Sequence, residues 1–195
     1  MSEIKRCGWV DLKSNEYVEY HDKEWGVPVY DDVKLFEMLI LEGAQAGLSW
    51  LTVLKRRQGY RRAFDNFDFK KVAEYDDKKI AELLEDSRII RNRLKIKSAV
   101  KNAKIFIEII KECGAFSNYL WSFTGNKQMQ NSFKELKDVP AKTKLSDEIS
   151  KDLKKRGMSF TGSTIIYAFL QAVGVVNDHQ TDCFRYNVIK NNSTC

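Results

Sequence analysis

In 195 residues only two prolines, Pro28 and Pro140, interrupt a chain whose apolar residues recur at helical spacing. Strand-like alternation is scarce and no repeat or low-complexity linker is visible, so the expected fold class is all-α. Asp31 and Asp32 stand before Val33–Glu42, placing carboxylates where a helix dipole favours them. Gly43 and Gly47 are expected to break that helix, and Leu48 to Arg57 to form the next. Lys78 to Leu84 reads as a short helix. A longer one carries Ile96, Val100, Ala103, Ile107 and Ile110 on one stripe and stops at Gly114. Ser146 is expected to cap a helix running through Ile149 and Leu153 to Gly157. Met158 to Ser163 then lead into a helix with Ile166, Phe169, Leu170 and Val173, closed by Gly174. Residues 146–174 therefore read as helix, glycine-bearing hairpin, helix.

The length and a hydrophobic share of 43% suit one domain, 1–195, with a real core. No apolar run reaches the roughly 18 residues of a membrane span, and Met1 to Arg6 contain no apolar leader. The expected compartment is the cytoplasm, with no membrane partner. A net charge of +6 favours polyanions as partners, because each lysine or arginine that meets a phosphate releases counterions. Many basic proteins never meet nucleic acid, so charge alone decides nothing.

Three constellations could carry chemistry. The hairpin from Lys154 to Thr164 places Gly157, Gly162 and Ser163 where backbone could approach a phosphate, beside Lys154, Lys155 and Arg156. An ordinary helix connection with a solvated basic end fits the same residues. Cys7 with His21, and His179 with Cys183, form the two-Cys, two-His set of a closed structural zinc site. Four unrelated residues, small buried thiols and a capping imidazole among them, would read the same way. Cys113 and Cys195 have no such partners. Glu42 is the only charge between Glu37 and Lys55. In so apolar a stretch it either bonds to nearby backbone or faces a pocket. Trp50, Trp9, Tyr17, Tyr20 and Trp25 supply aromatics that usually mean core, but beside a carboxylate they would suit a flat cationic heterocycle.

Several blocks resemble the bacterial DNA-3-methyladenine glycosylase I family. They include Arg6-Cys7-Gly8-Trp9, Tyr20-His21-Asp22-Lys23-Glu24-Trp25-Gly26-Val27-Pro28, Leu41-Glu42-Gly43, Gln45-Ala46-Gly47-Leu48-Ser49-Trp50 and Val176-Asn177-Asp178-His179. Ile89-Ile90-Arg91, Lys95-Ile96, Asn102-Ala103 and Leu120-Trp121-Ser122-Phe123 extend the resemblance, which runs from Arg6 to Cys183. It implies a helix-hairpin-helix DNA glycosylase fold with one structural zinc ion joining the terminal segments, 6–26 and 175–186. The family's ligands fall on Cys7, His21, His179 and Cys183. Its base pocket falls on Glu42 and Tyr20 as hydrogen-bonding groups and Trp50 as stacking wall, with Trp9, Tyr17 and Trp25 in support. Glu42 is also the residue expected to carry catalysis. Gly47 and Leu48 fall where such enzymes probe the gap left by a flipped nucleotide.

The resemblance further implies a hydrolase releasing N3-methyladenine from alkylated double-stranded DNA. No lysine stands out as a Schiff-base nucleophile, so a monofunctional enzyme without strand cleavage is expected. A monomer without an obligatory protein partner is the natural default for an enzyme that tracks along DNA. Asn177 stands where many members of the wider superfamily have an aspartate, an absence this family shares. Arg88 and Leu94 stand where the family pattern has glycines. Two other readings stay open on the residues alone, a zinc-stabilised module that binds damage without cutting and a small-molecule binder; salt-dependent DNA affinity would separate the second from both DNA readings.

Overall fold

The computed structural model describes residues 4–192; Cys195 lies outside them. The described chain is mostly helical: α1 (Asn15–Lys23), α2 (Asp32–Gln45), α3 (Trp50–Ala63), α4 (Phe69–Ala73), α5 (Asp77–Glu85), α6 (Arg93–Cys113), α7 (Phe116–Ser122), α8 (Lys144–Lys155), α9 (Ser163–Ala172) and α10 (Phe184–Asn192). Side-chain caps set many of the starts. Ser14, Asp31, Ser49, Asp68, Asp76, Asn92 and Thr143 each accept a backbone N–H from the first turn that follows. Each such cap contributes about 1 kcal/mol.

The helix starting at α8 is capped by Thr143, not Ser146. Ser146 is the third residue of the helix and closes a reciprocal capping box, its Oγ accepting from Thr143 N at 2.9 Å. Gly43 does not break α2. It lies inside the helix because a Cβ there would sit 3.2 Å from the Cβ of Phe160, so its lack of a side chain lets the 157–162 hairpin pack closely. The next helix starts at Trp50, where Ser49 can cap it, and continues to Ala63.

The core forms around α2, whose residues Leu35 to Ala44 are all buried. A helix buried on every side belongs at the centre of a fold, and α2 packs against α3, α6, α7 and α9. Asp32 contributes twice: its two carboxylate oxygens accept from Phe116 N and Ser117 N, capping α7, whose own N-cap is an alanine. The buried stripe of α6 runs through Ile96, Ala99, Ala103, Phe106 and Ile109, while Ile107 and Ile110 are only partly buried. Phe106 turns the stripe inward by stacking on Phe116 at 4.0 Å and meeting Phe36 edge-on at 5.2 Å.

One feature has no helical signature. Met129–Gln130 and Val176–Asn177 form a short parallel pair, Met129 opposite Val176 and Gln130 opposite Asn177. Gly174, just before it, takes φ +70°, and a Cβ there would lie 2.3 Å from the Val27 carbonyl carbon. This residue must be glycine for α9 to turn back against Val27 and Pro28. Lys5 O then accepts from Phe184 N, so the first and last described segments run side by side. Among the described residues no helix is long and apolar enough to cross a membrane.

Candidate active site and metal centre

The turn of the chain that brings α1 against the start of α3 and the end of α9 leaves a cleft of about 250 Å³. Trp9, Tyr17, Tyr20, Trp25, Glu42 and Trp50 all line it, so the six residues proposed from sequence as a base pocket share one cavity. Trp9 meets Trp25 edge-on at 5.0 Å and Tyr17 at 5.4 Å, and Tyr20 leans on Trp50 at 5.5 Å. These tilted contacts make the walls rigid. Among the described residues the buried indole nitrogens of Trp9 and Trp50 have no hydrogen-bond partner.

Glu42 is only 4% exposed, and among the described residues no hydrogen bond or opposite charge offsets the burial of its carboxylate. Burial alone pushes its pKa up to about 8, because a desolvated carboxylate favours its neutral form. The backbone-bonded alternative for Glu42 is therefore not what the fold builds. Burial, and next to it Glu42, also raises the pKa of Tyr20 well above the usual phenol value, so its hydroxyl stays a proton donor.

A buried ion-pair cluster holds this frame. Arg57 donates to Glu37 at 2.6 Å and to both oxygens of Glu24, at 2.9 and 2.7 Å, tying α3 to α2 and to the end of α1. Burial would raise the Glu24 pKa, but the Arg57 hydrogen bonds and charge, with Lys34, bring it down to about 2.

Behind the aromatic wall lie Cys7, His21, His179 and Cys183, all buried, with ligand atoms within 4.8 Å of one another. The closest approaches are Cys7 Sγ to His179 Nδ1 and Cys183 Sγ to His21 Nε2, both 3.4 Å. A tetrahedral zinc at ordinary Zn–S and Zn–N lengths separates sulfur and nitrogen ligands by roughly 3.5 Å. The outward ring nitrogens are also engaged: His21 Nδ1 lies 2.7 Å from Asp22 Oδ1, and His179 Nε2 3.0 Å from Trp25 O. Such partners orient imidazoles toward a metal. The set fits a metal ion with four protein ligands.

Two loops flank the cleft. Gly47 (φ +78°) and Leu48, 40% exposed, occupy the turn between α2 and α3, with no atoms within 4 Å of where a Gly47 Cβ would sit. The hairpin between α8 and α9 has Gly157 at φ +101° and Gly162 facing open space as the N-cap of α9. That N-cap offers no side chain to the first-turn N–H groups. Ser163 Oγ lies 2.8 Å from Ser146 Oγ. Lys154 and Lys155 are exposed there, but Arg156 is not available: it donates to Asp152 at 2.7 Å and Glu112 at 2.6 Å.

A family model described as methyladenine glycosylase matches residues 9–186. The chain belongs to the methyladenine glycosylase family. It is 50% identical over 179 residues to the DNA-3-methyladenine glycosylase of Haemophilus influenzae, covering 91% of this chain and 96% of the relative. DNA-3-methyladenine glycosylase 1 of Escherichia coli is 45% identical over 183 residues, 94% and 97% of the two chains. Among solved structures, a crystal structure of 3-methyladenine DNA glycosylase I aligns with a TM-score of 0.88 at 45% identity, over 92% of this chain and 98% of the other. The Staphylococcus aureus 3-methyladenine DNA glycosylase I, described for its recognition of 3-methyladenine, aligns with a TM-score of 0.88 at 35% identity, over 90% and 93%.

In this methyladenine glycosylase the cleft also has walls that sequence reasoning missed. Gln45, Gln171, Asp178, Gln180, Leu136 and Val139 complete it. Gln45 was findable, since a residue three beyond Glu42 shares its helix face. Asp178 is 2% exposed and its carboxylate accepts from Asn131, Tyr167 and Gln171. Leu136 opens a three-residue 3-10 turn, Leu136–Asp138, and Val139 follows it, a stretch too short to carry a periodic signal. Arg88 is exposed and paired with Asp86 at 2.7 Å, and Leu94 is 69% exposed, so neither enters the cleft.

Proposed function

We propose that this methyladenine glycosylase hydrolyses the N-glycosidic bond of N3-methyladenine in alkylated duplex DNA, freeing the base and leaving an abasic site. The observation that carries this reading is a buried carboxyl, Glu42, without a partner among the described residues, in a cleft walled by Trp50, Tyr20 and Trp9. N3 methylation makes the base both cationic and a good leaving group. The enzyme must draw out the nucleotide, hold the cation and admit water to C1′.

Before substrate binds, the Glu42 carboxyl is mostly protonated at pH 7, because burial holds its pKa at about 8. An entering cation supplies the charge that burial denies, so Glu42 ionises and the proton leaves to water. Unmodified adenine offers no such charge. Trp50 stacks on the base, adding roughly 0.5–2 kcal/mol if the base is cationic. Tyr20 donates its hydroxyl proton. Trp9, Tyr17 and Trp25 hold these groups in place.

Around the pocket the reading assigns the wedge to Gly47 and Leu48, and the phosphate grip to a helix-hairpin-helix of Gly157, Gly162 and Ser163. Open space at Gly162 and the uncapped start of α9 support that grip. A structural zinc on Cys7, His21, His179 and Cys183 would crosslink the chain's two ends; four protein ligands leave no position for substrate. The whole chain acts as one domain, a monomer working in the cytoplasm.

Incubating the protein with methylated duplex and separating the freed bases by chromatography tests the reaction. Release of 3-methyladenine without strand breaks is expected. Salt-dependent DNA binding with no base release would move the damage-binding module to first place.

A further inference from the structure

Two residues of α6 that take no part in the cleft hold both DNA-facing loops by their backbones. The Lys95 ammonium donates to Ala44 O at 2.8 Å and Ala46 O at 2.7 Å, the last carbonyls of α2, immediately before Gly47 and Leu48. One turn of chain is thus held by a cation at the negative end of a helix. Asn102, 3% exposed, makes a reciprocal pair with the hairpin: its Nδ2 donates to Ser159 O at 2.8 Å and its Oδ1 accepts from Ser159 N at 2.9 Å.

Lys95 and Asn102 are seven residues apart, which puts them on one face of the helix about 10 Å apart. Between them the hairpin closes on α2 directly, Phe160 against Gly43. Only about 10 Å³ of space remains in this junction. Phe160 adopts φ +56°, a backbone rarely taken by a bulky residue unless its surroundings impose it. Hydrogen bonds at both ends and a tight contact in the middle make the arrangement rigid.

We infer that α6 is the spacer that fixes the wedge turn relative to the phosphate-gripping hairpin, with Lys95 and Asn102 as positioning residues for nucleotide extraction. This rests on the reading of Leu48 as the wedge and of the hairpin as the grip. Lys95 acts by setting where Leu48 stands when the hairpin is seated on phosphate. Its ammonium is turned toward protein carbonyls and so does not serve as a phosphate contact. Asn102 sets the hairpin backbone on which the grip depends.

The test uses the full chain, zinc-loaded, with four readouts. They are wedge insertion on a duplex carrying an abasic analogue beside 2-aminopurine, single-turnover base release from methylated duplex, binding of free 3-methyladenine, and duplex affinity as a function of salt. Lys95→Met is expected to reduce the 2-aminopurine signal and the release rate about tenfold, the scale of one lost charged hydrogen bond. Free-base affinity should stay within about twofold, and Lys95→Arg should restore most of the loss. Asn102→Ala is expected to weaken duplex binding about tenfold with the free-base affinity again unchanged.

The salt dependence separates positioning from contact. A phosphate-contacting lysine would, on removal, lower the slope of log affinity against log salt by about one; Lys95→Met should leave it as in the wild type. A lowered slope, wild-type extraction in both variants, or free-base affinity falling in step with release would each overturn the inference. Leu48→Ala is the control for the underlying reading. If it leaves the 2-aminopurine signal intact, the wedge assignment fails. If it abolishes the signal while Lys95→Met does not change it, the wedge stands and the spacer role fails.

Discussion

Glu42→Gln removes the titration of one buried group and keeps its shape, so its effect on stability should depend on pH in a defined direction. The Glu42 pKa is raised from 4.5 to about 8 in the folded chain, by burial. A group raised in this way contributes stability that is fully present below its unfolded pKa and lost as pH climbs to the folded one. Between pH 4.5 and 8 the unfolded chain has released the proton and the folded chain still holds it. Each pH unit in that window costs about 1.4 kcal/mol, so the loss reaches about 3 kcal/mol at pH 7 and about 5 kcal/mol above pH 8. Glutamine has no such dependence. Urea melts of both proteins, zinc-loaded, at pH 5, 7 and 9 should show the variant gaining on the wild type by several kcal/mol across the series. Taking the difference cancels the titration of groups that do not interact with Glu42, and Tyr17 and Tyr20, which do, are both raised and keep their protons through this range. A difference that stays flat to within about 1 kcal/mol would mean that Glu42 is solvated or paired in solution, and the reasoning from its burial would be wrong.

In the same cleft, Glu42→Ala should abolish most base release while leaving duplex affinity within about threefold, since phosphate contacts dominate that affinity; gel shifts beside the release assay read both. Trp50→Ala should weaken free-base binding by about 1–3 kcal/mol, the usual worth of a base–aromatic stack, as measured by calorimetry. On the proposed zinc site, the wild type should carry one zinc ion per chain and His179→Ala close to none, with a loss of several kcal/mol in stability, checked by metal analysis and thermal melting. Gly174→Ala should cost about 2–4 kcal/mol, because φ +70° is unfavourable for alanine and the new methyl would strike Val27 and Pro28. A melting temperature within about 2 °C of the wild type would refute that placement.

Much of the helical skeleton was legible from local chemistry. Asp31 before an apolar run, Gly114 after one and Gly157 before a turn act through the few residues around them, so α2, α6 and α8 could be read from the chain alone. The site residues were legible for a different reason. A lone carboxylate in an apolar run and a two-Cys, two-His set are chemically unusual wherever they fall, and family resemblance supplied their roles. What local chemistry could not decide was which residues meet. Ser146 looks like a cap until Thr143 proves better placed three residues earlier, and Gly43 looks like a break until Phe160 arrives from more than a hundred residues away. Arg156 seems free for DNA, yet Asp152 and Glu112 engage it. The burial of Glu42 without an offsetting partner among the described residues, the closure of the cleft by Leu136 and Asp178, and the clasping of two loops by α6 all depend on long-range packing. Sequence by itself determined helices α2, α3, α5, α6, α8 and α9 and the chemically conspicuous groups, because caps, periodicity and charge act over a turn or two; α1, α4, α7 and α10 carried no signal that was read from the chain alone. Tertiary structure alone decided burial and partnership, because desolvation and hydrogen bonding depend on whatever the rest of the chain brings within a few ångströms.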